Sequence, residues 1–314
     1  MIRFMPENKG GICYCPPDIV ALRADGYYPV DMHLHTTHSD GRTKIPDLIR
    51  YAEREKIGVA ITDHNEISGS IEAIAKNPAI LIIPGIELET REGPHLLFYF
   101  YTTGDMEDFF HDFTIERNRQ TPGLLRNLPV RECLDVASDY DCLRIAAHPY
   151  GYYGINRGIL KCVGKEMLPG VLDHIDGIEV ICGGMMYGLN ERAIKYAKSH
   201  DIPYTGGSDA HILSDVGNVV SAVAAETVEE FLDGIIRREN HVIGSSGGYI
   251  ARCATAGVIA WSFVPYTFEQ AGIHYRYQKH RTTNLISSYC TKISSNHSRQ
   301  KEGEDDSEER REEA

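Results

Sequence analysis

Histidines and carboxylates follow one short apolar run after another in this chain, so its fold has to gather polar side chains from distant parts of the sequence. The residues concerned are His33, His35, Asp40, His64, Glu87, His95, His148, Asp209 and His211. Imidazole and carboxylate groups are common metal ligands. Several of them at the ends of several apolar runs predict a metal cluster.

The apolar runs alternate with amphipathic stretches from Tyr28 onward, as in a chain of strand–helix units. Predicted strands are 29–35, 59–62, 80–86, 95–101, 143–147, 177–181, 202–205, 219–224 and 241–244. Predicted helices are 46–56, 106–119, 130–140, 189–200 and 231–238, the last preceded by a capping box of Thr227 and Glu230. This order predicts an α/β fold with a parallel sheet or barrel, in which chemistry lies at the carboxyl ends of the strands.

The spacing of the polar residues supports a shared site. His33 and His35 are two residues apart in a predicted strand, so both side chains leave the same face, and Asp209 and His211 repeat this spacing. Imidazole nitrogen and carboxylate oxygen without thiolate suit Zn, Mn or Fe better than Ca or Mg. Because so many ligands exceed the needs of one ion, the set predicts two or three divalent ions.

Composition limits the possible partners. The formal net charge of -13 argues against an extended nucleic-acid surface or an anionic membrane as partner. No apolar stretch is long enough to span a bilayer and the start of the chain lacks a secretory signal, so a cytoplasmic location is expected. The scattered cysteines predict reduced thiols, including the close pair Cys13 and Cys15.

Four segments are expected along the chain. Residues 1–27 form an N-terminal extension, and residues 28–244 form the barrel, with a lid or insert at about 106–142. Residues 245–270 are expected to add a C-terminal helical extension. The polar, charge-dense residues 271–314 predict a disordered tail.

The motifs resemble those of the polymerase and histidinol phosphatase (PHP) superfamily of metal-dependent phosphoesterases, over about residues 29–244. They read DMHLHTTHSDG from Asp31, ITDHN from Ile61, PGIE from Pro84 and GSDAH from Gly207. The resemblance implies a distorted (β/α)7 TIM-like barrel with its metal site at the C-terminal ends of the strands. It further implies one ion at His33, His35, Glu87 and Asp209, one at Asp40, His64 and His211, and one at Glu87, His95 and His148.

Two substrate contacts and three catalytic residues follow from the same resemblance. Tyr150 stands directly after His148-Pro149, where many relatives have a basic residue, so Arg157 is the predicted phosphate-binding cation. His38 is interpreted as lining the pocket. Asp40, His64 and His211 are the candidate catalytic residues, and either histidine could protonate the leaving group.

The predicted activity is hydrolysis of a small phosphomonoester or nucleotide by a metal-bound hydroxide. One alternative is an exonuclease on short RNA or DNA oligonucleotides. A second is a metal-dependent amidohydrolase or deaminase, because those barrels also begin with H-x-H and end with a strand-end aspartate. A third is a catalytically silent regulatory module. The sequence makes no prediction of the oligomeric state.

Overall fold

The computed structural model describes residues 10–115, 128–151 and 157–246, together with Gly257. Its strands are β1 Ile12–Cys13, β2 Tyr28–Leu34, β3 Gly58–Ile61, β4 Ile82–Glu89, β5 His95–Phe100, β6 Cys142–Ala146, β7 Gly177–Cys182, β8 Tyr204–Gly207, β9 Val219–Val223 and β10 His241–Gly244. Its helices are α1 Ile19–Ala24, α2 Ile45–Glu55, α3 Ser68–Ala75, α4 Thr103–Ile115, α5 Val130–Ala137, α6 Ile159–Val163, α7 Tyr187–His200 and α8 Val228–Ile236.

The strands form one sheet in the order β1-β10-β9-β2-β3-β4-β5-β6-β7-β8. The sheet curls until the end of β8 meets β2: the backbone N–H of Asp209 donates to His33 at 2.7 Å, and that of His35 donates to Ala210 at 2.8 Å. Strands β2 to β8 therefore surround a common centre, while β9, β10 and β1 continue the sheet beyond it. The predicted α/β, TIM-like architecture is confirmed.

Not all strands of the ring are parallel, whereas the sequence predicted a parallel sheet or barrel. Strand β5 pairs antiparallel with both β4 and β6, and Glu89 lies opposite His95 across the β4–β5 pair. The physical reason is the short turn between Glu89 at the end of β4 and His95 at the start of β5, because a few residues can connect only antiparallel neighbours. As a result His95, the first residue of β5, lies at the edge where the parallel strands end.

The helices follow local sequence rules. Helix α2 has a proline in its first turn and buries Ile45, Leu48, Ile49 and Ala52 along one face. Helix α8 begins with the predicted capping box, in which the Thr227 side chain accepts from the Glu230 backbone. The apolar faces of these helices pack against strands in which almost every residue is buried, and the resulting core supports the polar site.

Some elements differ from the sequence predictions. Helices α1, α3 and α6 and the two-residue strand β1 were not predicted, and each is at most eight residues long. Elements this short carry too few periodic positions to stand out in a sequence. The predicted end of α4 at residue 119 lies outside the described residues. The same is true of the two predicted C-terminal segments, residues 245–270 and 271–314, except for residues 245, 246 and 257.

Cysteine pairing corrects one expectation. Cys13 and Cys15 form a disulfide, because a bend after β1 brings their Cα atoms to 5.6 Å, within the range that a disulfide spans. The expected pair of reduced thiols was therefore wrong at these positions. Within the described part of the chain, no helix combines the length and the apolar character needed to cross a membrane.

Candidate metal centre

The nine histidines and carboxylates singled out in the sequence lie together at one end of the ring, and all nine are buried. Strand β2 supplies His33 directly and His35 just beyond its end, while His64, His148 and Asp209 follow β3, β6 and β8. Glu87 lies near the end of β4. Residues far apart in sequence therefore meet because the carboxyl ends of the strands share one edge of the barrel.

Gly207 allows the first and last parts of the site to approach. A Cβ atom at this position would lie 2.4 Å from the backbone nitrogen and the Cβ of His33, a distance that no side chain tolerates. Only glycine lets β8 pass this close to β2. The close approach places Asp209 beside the imidazoles of His33 and His35.

Glu87 is the centre of the cluster. Its Oε2 lies 3.3 Å from Nε2 of His33, 3.3 Å from Nε2 of His35 and 3.0 Å from Nδ1 of His64. Its Oε1 lies 2.9 Å from Nδ1 of His95 and 3.2 Å from Nε2 of His148. One carboxylate thus faces two groups of imidazoles, one through each oxygen.

Asp209 and Asp40 complete the side of the site that Glu87 Oε2 faces. Asp209 Oδ1 lies 3.3 Å from Nε2 of His35, and Asp40 Oδ2 lies 3.2 Å from Nε2 of His211. His64 connects this side to Glu87, because its Nε2 lies 3.7 Å from the same Asp40 oxygen.

The donor geometry fits divalent ions. Two ligand atoms that each lie about 2.0–2.2 Å from one ion, at near-tetrahedral or octahedral angles, are about 3–3.5 Å apart. The distances of 3.3 Å between His35 Nε2 and the Glu87 and Asp209 oxygens match this spacing. In addition, Nε2 of both His33 and His35 and Oε2 of Glu87 are buried without a hydrogen bond. Buried polar atoms are normally satisfied, so these atoms suit coordination to a cation.

Three groups of donor atoms are close enough to hold an ion each. They are His35, Asp40, His64 and His211; His33, His35 and Asp209; and His64, Glu87 and His95. The first and second groups share His35, and the first and third share His64, which differs in detail from the distribution that the family resemblance implies. The assignment of each ligand to a particular ion stays a prediction.

The electrostatics follow from burying many charges together. Burial alone would lower the pKa of the His33 imidazole, but Glu179, Glu87 and Asp209 raise it well above its usual value. For His35 the same burial is outweighed chiefly by Asp209 and Glu87, which raise its pKa to about 10. In contrast, burial lowers the pKa of His64 to about 3 and that of His95 to about 4.

These shifts predict that metal binding releases protons. At pH 7 the metal-free protein carries a protonated His35, whose pKa is about 10, and Glu179, Glu87 and Asp209 raise the pKa of His33 in the same direction. An imidazole must lose its proton to ligate, so metal binding should release at least one proton and apparent affinity should rise from pH 6 to pH 8. Calorimetric titration with Mn in buffers of different ionisation enthalpy measures the release. A binding enthalpy that is the same in every buffer would contradict it.

Two aspartates hold the loops that carry the ligands. Asp31 accepts from the backbone and hydroxyl of Ser208 at 2.8 and 2.6 Å, next to Asp209. Asp63 accepts from the backbone and hydroxyl of Thr36 at 2.7 and 2.6 Å, next to His35. These contacts agree with a supporting role, as metal sites commonly require.

The two predicted substrate-binding residues are placed differently. The side chain of His38 contacts helix α3. Its Nδ1 lies 2.8 Å from Ser68 Oγ, and its Nε2 lies 3.1 Å from Glu72 Oε2. Arg157 is half-buried and acts electrostatically on Glu89 and His95. The role of Arg157 as a phosphate-binding cation stays a prediction.

Two buried acids of the site were missed by sequence analysis. Glu179 lies in the middle of the apolar strand β7 and contacts His33, and Glu89 follows Glu87 by two residues on the same strand. Burial raises the pKa of Glu89 to about 7. An acidic residue inside an otherwise apolar strand is the signal that could have revealed Glu179, because charged side chains are seldom fully buried without a partner.

Comparison with known families agrees with the motifs. A model described as the PHP domain matches residues 31–160, and one described as PHP-associated matches residues 188–240, together more than half of the chain. An uncharacterised protein of Methanocaldococcus jannaschii is 27% identical over 164 residues, covering 48% of this chain and 79% of that protein.

Solved structures share the fold at low identity. A chain from Bifidobacterium adolescentis, suggested to be a metal-dependent phosphoesterase, has a TM-score of 0.51 and 18% identity, covering 75% of this chain and 99% of that one. The lesion-specific endonuclease Q of Pyrococcus furiosus has a TM-score of 0.52 and 19% identity, covering 69% of this chain and 57% of that enzyme. The TM-scores show a common fold.

Proposed function

The chain belongs to the PHP superfamily, a group of metal-dependent phosphoesterases, and from this premise we propose that it hydrolyses a small phosphomonoester or nucleotide. The observation that carries the proposal is the position of Glu87, whose two oxygens face imidazoles from four different segments of the chain. A carboxylate between two sets of nitrogen ligands suits a centre with more than one ion, as in multi-metal phosphoesterases.

The ligands would be the nine residues of the cluster, with His33, His35, Asp209 and Glu87 forming one part of the centre. Divalent ions bound there would stabilise charge on the phosphoryl oxygens and lower the pKa of bound water. The protein itself contributes a rigid, buried arrangement of donors. Most of these ligands lie at or near strand ends, and rigid elements hold binding groups more precisely than loops do.

Arg157 is proposed to bind the phosphoryl group. Its positive charge lowers the pKa of Glu89 and of His95, so its electrostatic field reaches this part of the site. Arginine presents several N–H donors in a plane, which suits phosphate oxygens. It thereby supplies the positive charge that Tyr150 does not.

Asp40, His64 and His211 form the proposed catalytic group on the other side of Glu87. His211 Nε2 lies 3.2 Å from Asp40 Oδ2, and the Nδ1 atom of His211 lies 3.0 Å from the backbone oxygen of Asp209. These two contacts orient the ring of His211 and give a proton a defined path between Nε2 and Asp40. The same ring is a proposed ligand, so its contribution to proton transfer depends on how the ions are distributed.

Replacing Arg157 tests the substrate contact. Arg157→Ala should lower kcat/KM for phosphomonoesters by about 10- to 100-fold, mainly through KM, because a hydrogen bond to a charged group contributes about 1.5–3 kcal/mol. Arg157→Lys, which keeps the charge but loses the planar donors, should lie between. Steady-state kinetics measure both, with Arg237→Ala, directly after the end of helix α8, as the matched control. Unchanged KM in Arg157→Ala would remove this residue from the substrate site.

A substrate panel tests the proposed reaction. Metal-loaded protein is given p-nitrophenyl phosphate, nucleoside monophosphates, histidinol phosphate, a phosphodiester and short labelled oligonucleotides, and phosphate and product lengths are measured. Oligonucleotides are included because endonuclease Q, which shares the fold, has been solved with a duplex substrate containing an abasic lesion. Faster turnover of oligonucleotides than of monophosphates would favour the nuclease alternative.

A further inference from the structure

Glu179 is a buried acid that the proposed ligand set does not use. It lies in strand β7 and is 1% exposed. The pairing of β7 with β8 shifts register between Glu179 and Ile181, so the strand is irregular at this point. Such irregularities near active sites commonly redirect a side chain. The carboxylate of Glu179 points to the metal centre rather than to solvent.

The two oxygens of Glu179 contact two different proposed ligands. Oε1 lies 2.9 Å from Nδ1 of His33, and Oε2 accepts the backbone N–H of His148 at 2.7 Å. His33 and His148 come from β2 and from the end of β6, and their rings stack with centroids 5.9 Å apart. The carboxylate of Glu179 therefore contacts two proposed ligands at once. The two ligands face different oxygens of Glu87: His33 faces Oε2 and His148 faces Oε1.

The contact with His33 determines which ring nitrogen is free. When Nδ1–H donates to Glu179, Nε2 keeps its lone pair, and this is the atom that lies 3.3 Å from Glu87 Oε2 and 3.6 Å from Asp209 Oδ1. An acceptor on the second nitrogen is the usual means of orienting a metal-binding histidine. Without it the ring could rotate or adopt the other tautomer.

The contact with His148 acts on the backbone. His148 has a φ of 27°, in the left-handed region that is unfavourable for a residue with a side chain. Backbone in such a conformation persists only where neighbouring contacts hold it. The hydrogen bond from its N–H to Glu179 is one of these contacts, and it fixes the direction in which the imidazole leaves the chain.

We propose that Glu179 is a positioning residue that sets the ring of His33 and the backbone of His148 together, and so couples two parts of the metal centre. This inference rests on the proposed metal ligands but not on the identity of the substrate. Glutamine at this position has the same shape but offers only one acceptor oxygen. Its amide NH2 would face one of the two donors and break that contact.

The test is a metal titration of the full-length protein. Glu179→Gln should weaken Mn binding by about 10- to 100-fold, as loss of such a supporting group commonly does, measured by competition with a chelator of known affinity. Glu179→Asp keeps the charge but is one methylene shorter, so it should not restore the affinity. Glu191→Gln, on the exposed face of α7, is the matched control and should bind as the wild type.

The possible results distinguish failure of the positioning role from failure of the metal centre or of the proposed reaction. Wild-type affinity in Glu179→Gln, or full recovery in Glu179→Asp, would overturn the positioning role, the latter in favour of a simple charge effect. Absence of Mn binding by the wild type would overturn both the metal centre and this inference, whereas metal binding without hydrolysis would overturn only the proposed reaction.

A measurement on the wild type remains decisive if both variants unfold. A long-range 1H–15N spectrum of the zinc-loaded protein should show His33 protonated at Nδ1 and coordinated through Nε2. Coordination through Nδ1 would contradict the proposal.

Discussion

Glu87→Gln is expected to remove most bound metal from the centre and to lower kcat/KM by on the order of 1,000-fold or more. The expected size follows from the several kcal/mol that metal ions contribute to phosphoryl transfer, at about 1.4 kcal/mol for each factor of ten. Glu87 differs from the other ligands because each of its oxygens faces a separate set of imidazoles. A glutamine keeps the volume but replaces one oxygen with an N–H donor, which cannot ligate.

Elemental analysis and steady-state kinetics on the same preparation test this prediction. Glu191→Gln, whose carboxylate pairs with Lys195 at the surface, controls for the loss of a charge and should retain metal and activity. His33→Ala and Asp209→Ala should lose the part of the centre that they share. If Glu87→Gln retained the full metal content and the wild-type rate, the central position of Glu87 would be wrong.

Removing the metal from the wild type should have the second large effect. Chelation is expected to abolish hydrolysis, and Mn, Fe or Zn should restore it whereas Ca should not, because the donors combine imidazole nitrogen with carboxylate oxygen. Folding stability should fall as well. A site filled at about 100 times its Kd contributes about 2.7 kcal/mol, so Tm should drop on chelation.

Thermal unfolding with and without metal measures this coupling, and Asp209→Ala provides the control. In that variant the difference in Tm between metal-loaded and chelated protein should shrink, because a ligand is missing while the fold is otherwise unchanged. An enzyme that remained fully active after exhaustive chelation would contradict a metal-dependent reaction.

The grouping of the candidate ligands could be predicted from sequence because most of these residues stand where apolar runs end. His64 after β3 and His148 after β6 are recognisable in this way, and the spacing of His33 and His35 places both on one face of a strand. Local patterns of this kind depend only on neighbouring residues. The same is true of the capping box of α8, which was predicted and is present.

Features that depend on contacts between distant segments could not be predicted. The contact of Glu179 with His33 spans 146 positions of sequence and could not be predicted, although the place of Glu179 inside an apolar strand is a local signal that this residue is unusual. The reversed direction of β5 was not predicted either, because an apolar run has the same appearance in either direction; the local signal for it is the short turn between Glu89 and His95. For Arg157 the sequence shows only its charge, and the effect of that charge on the pKa values of Glu89 and His95 depends on the fold.

The most direct test of the account compares product release by metal-loaded wild type and Glu87→Gln on matched panels of phosphate esters and of amide or amine substrates. The wild type is expected to release inorganic phosphate, Glu87→Gln little or none, and neither protein ammonia. Release of ammonia without phosphate would point instead to an amidohydrolase or deaminase. A wild-type protein with its full complement of metal that turned over none of the phosphate esters would contradict the proposed function.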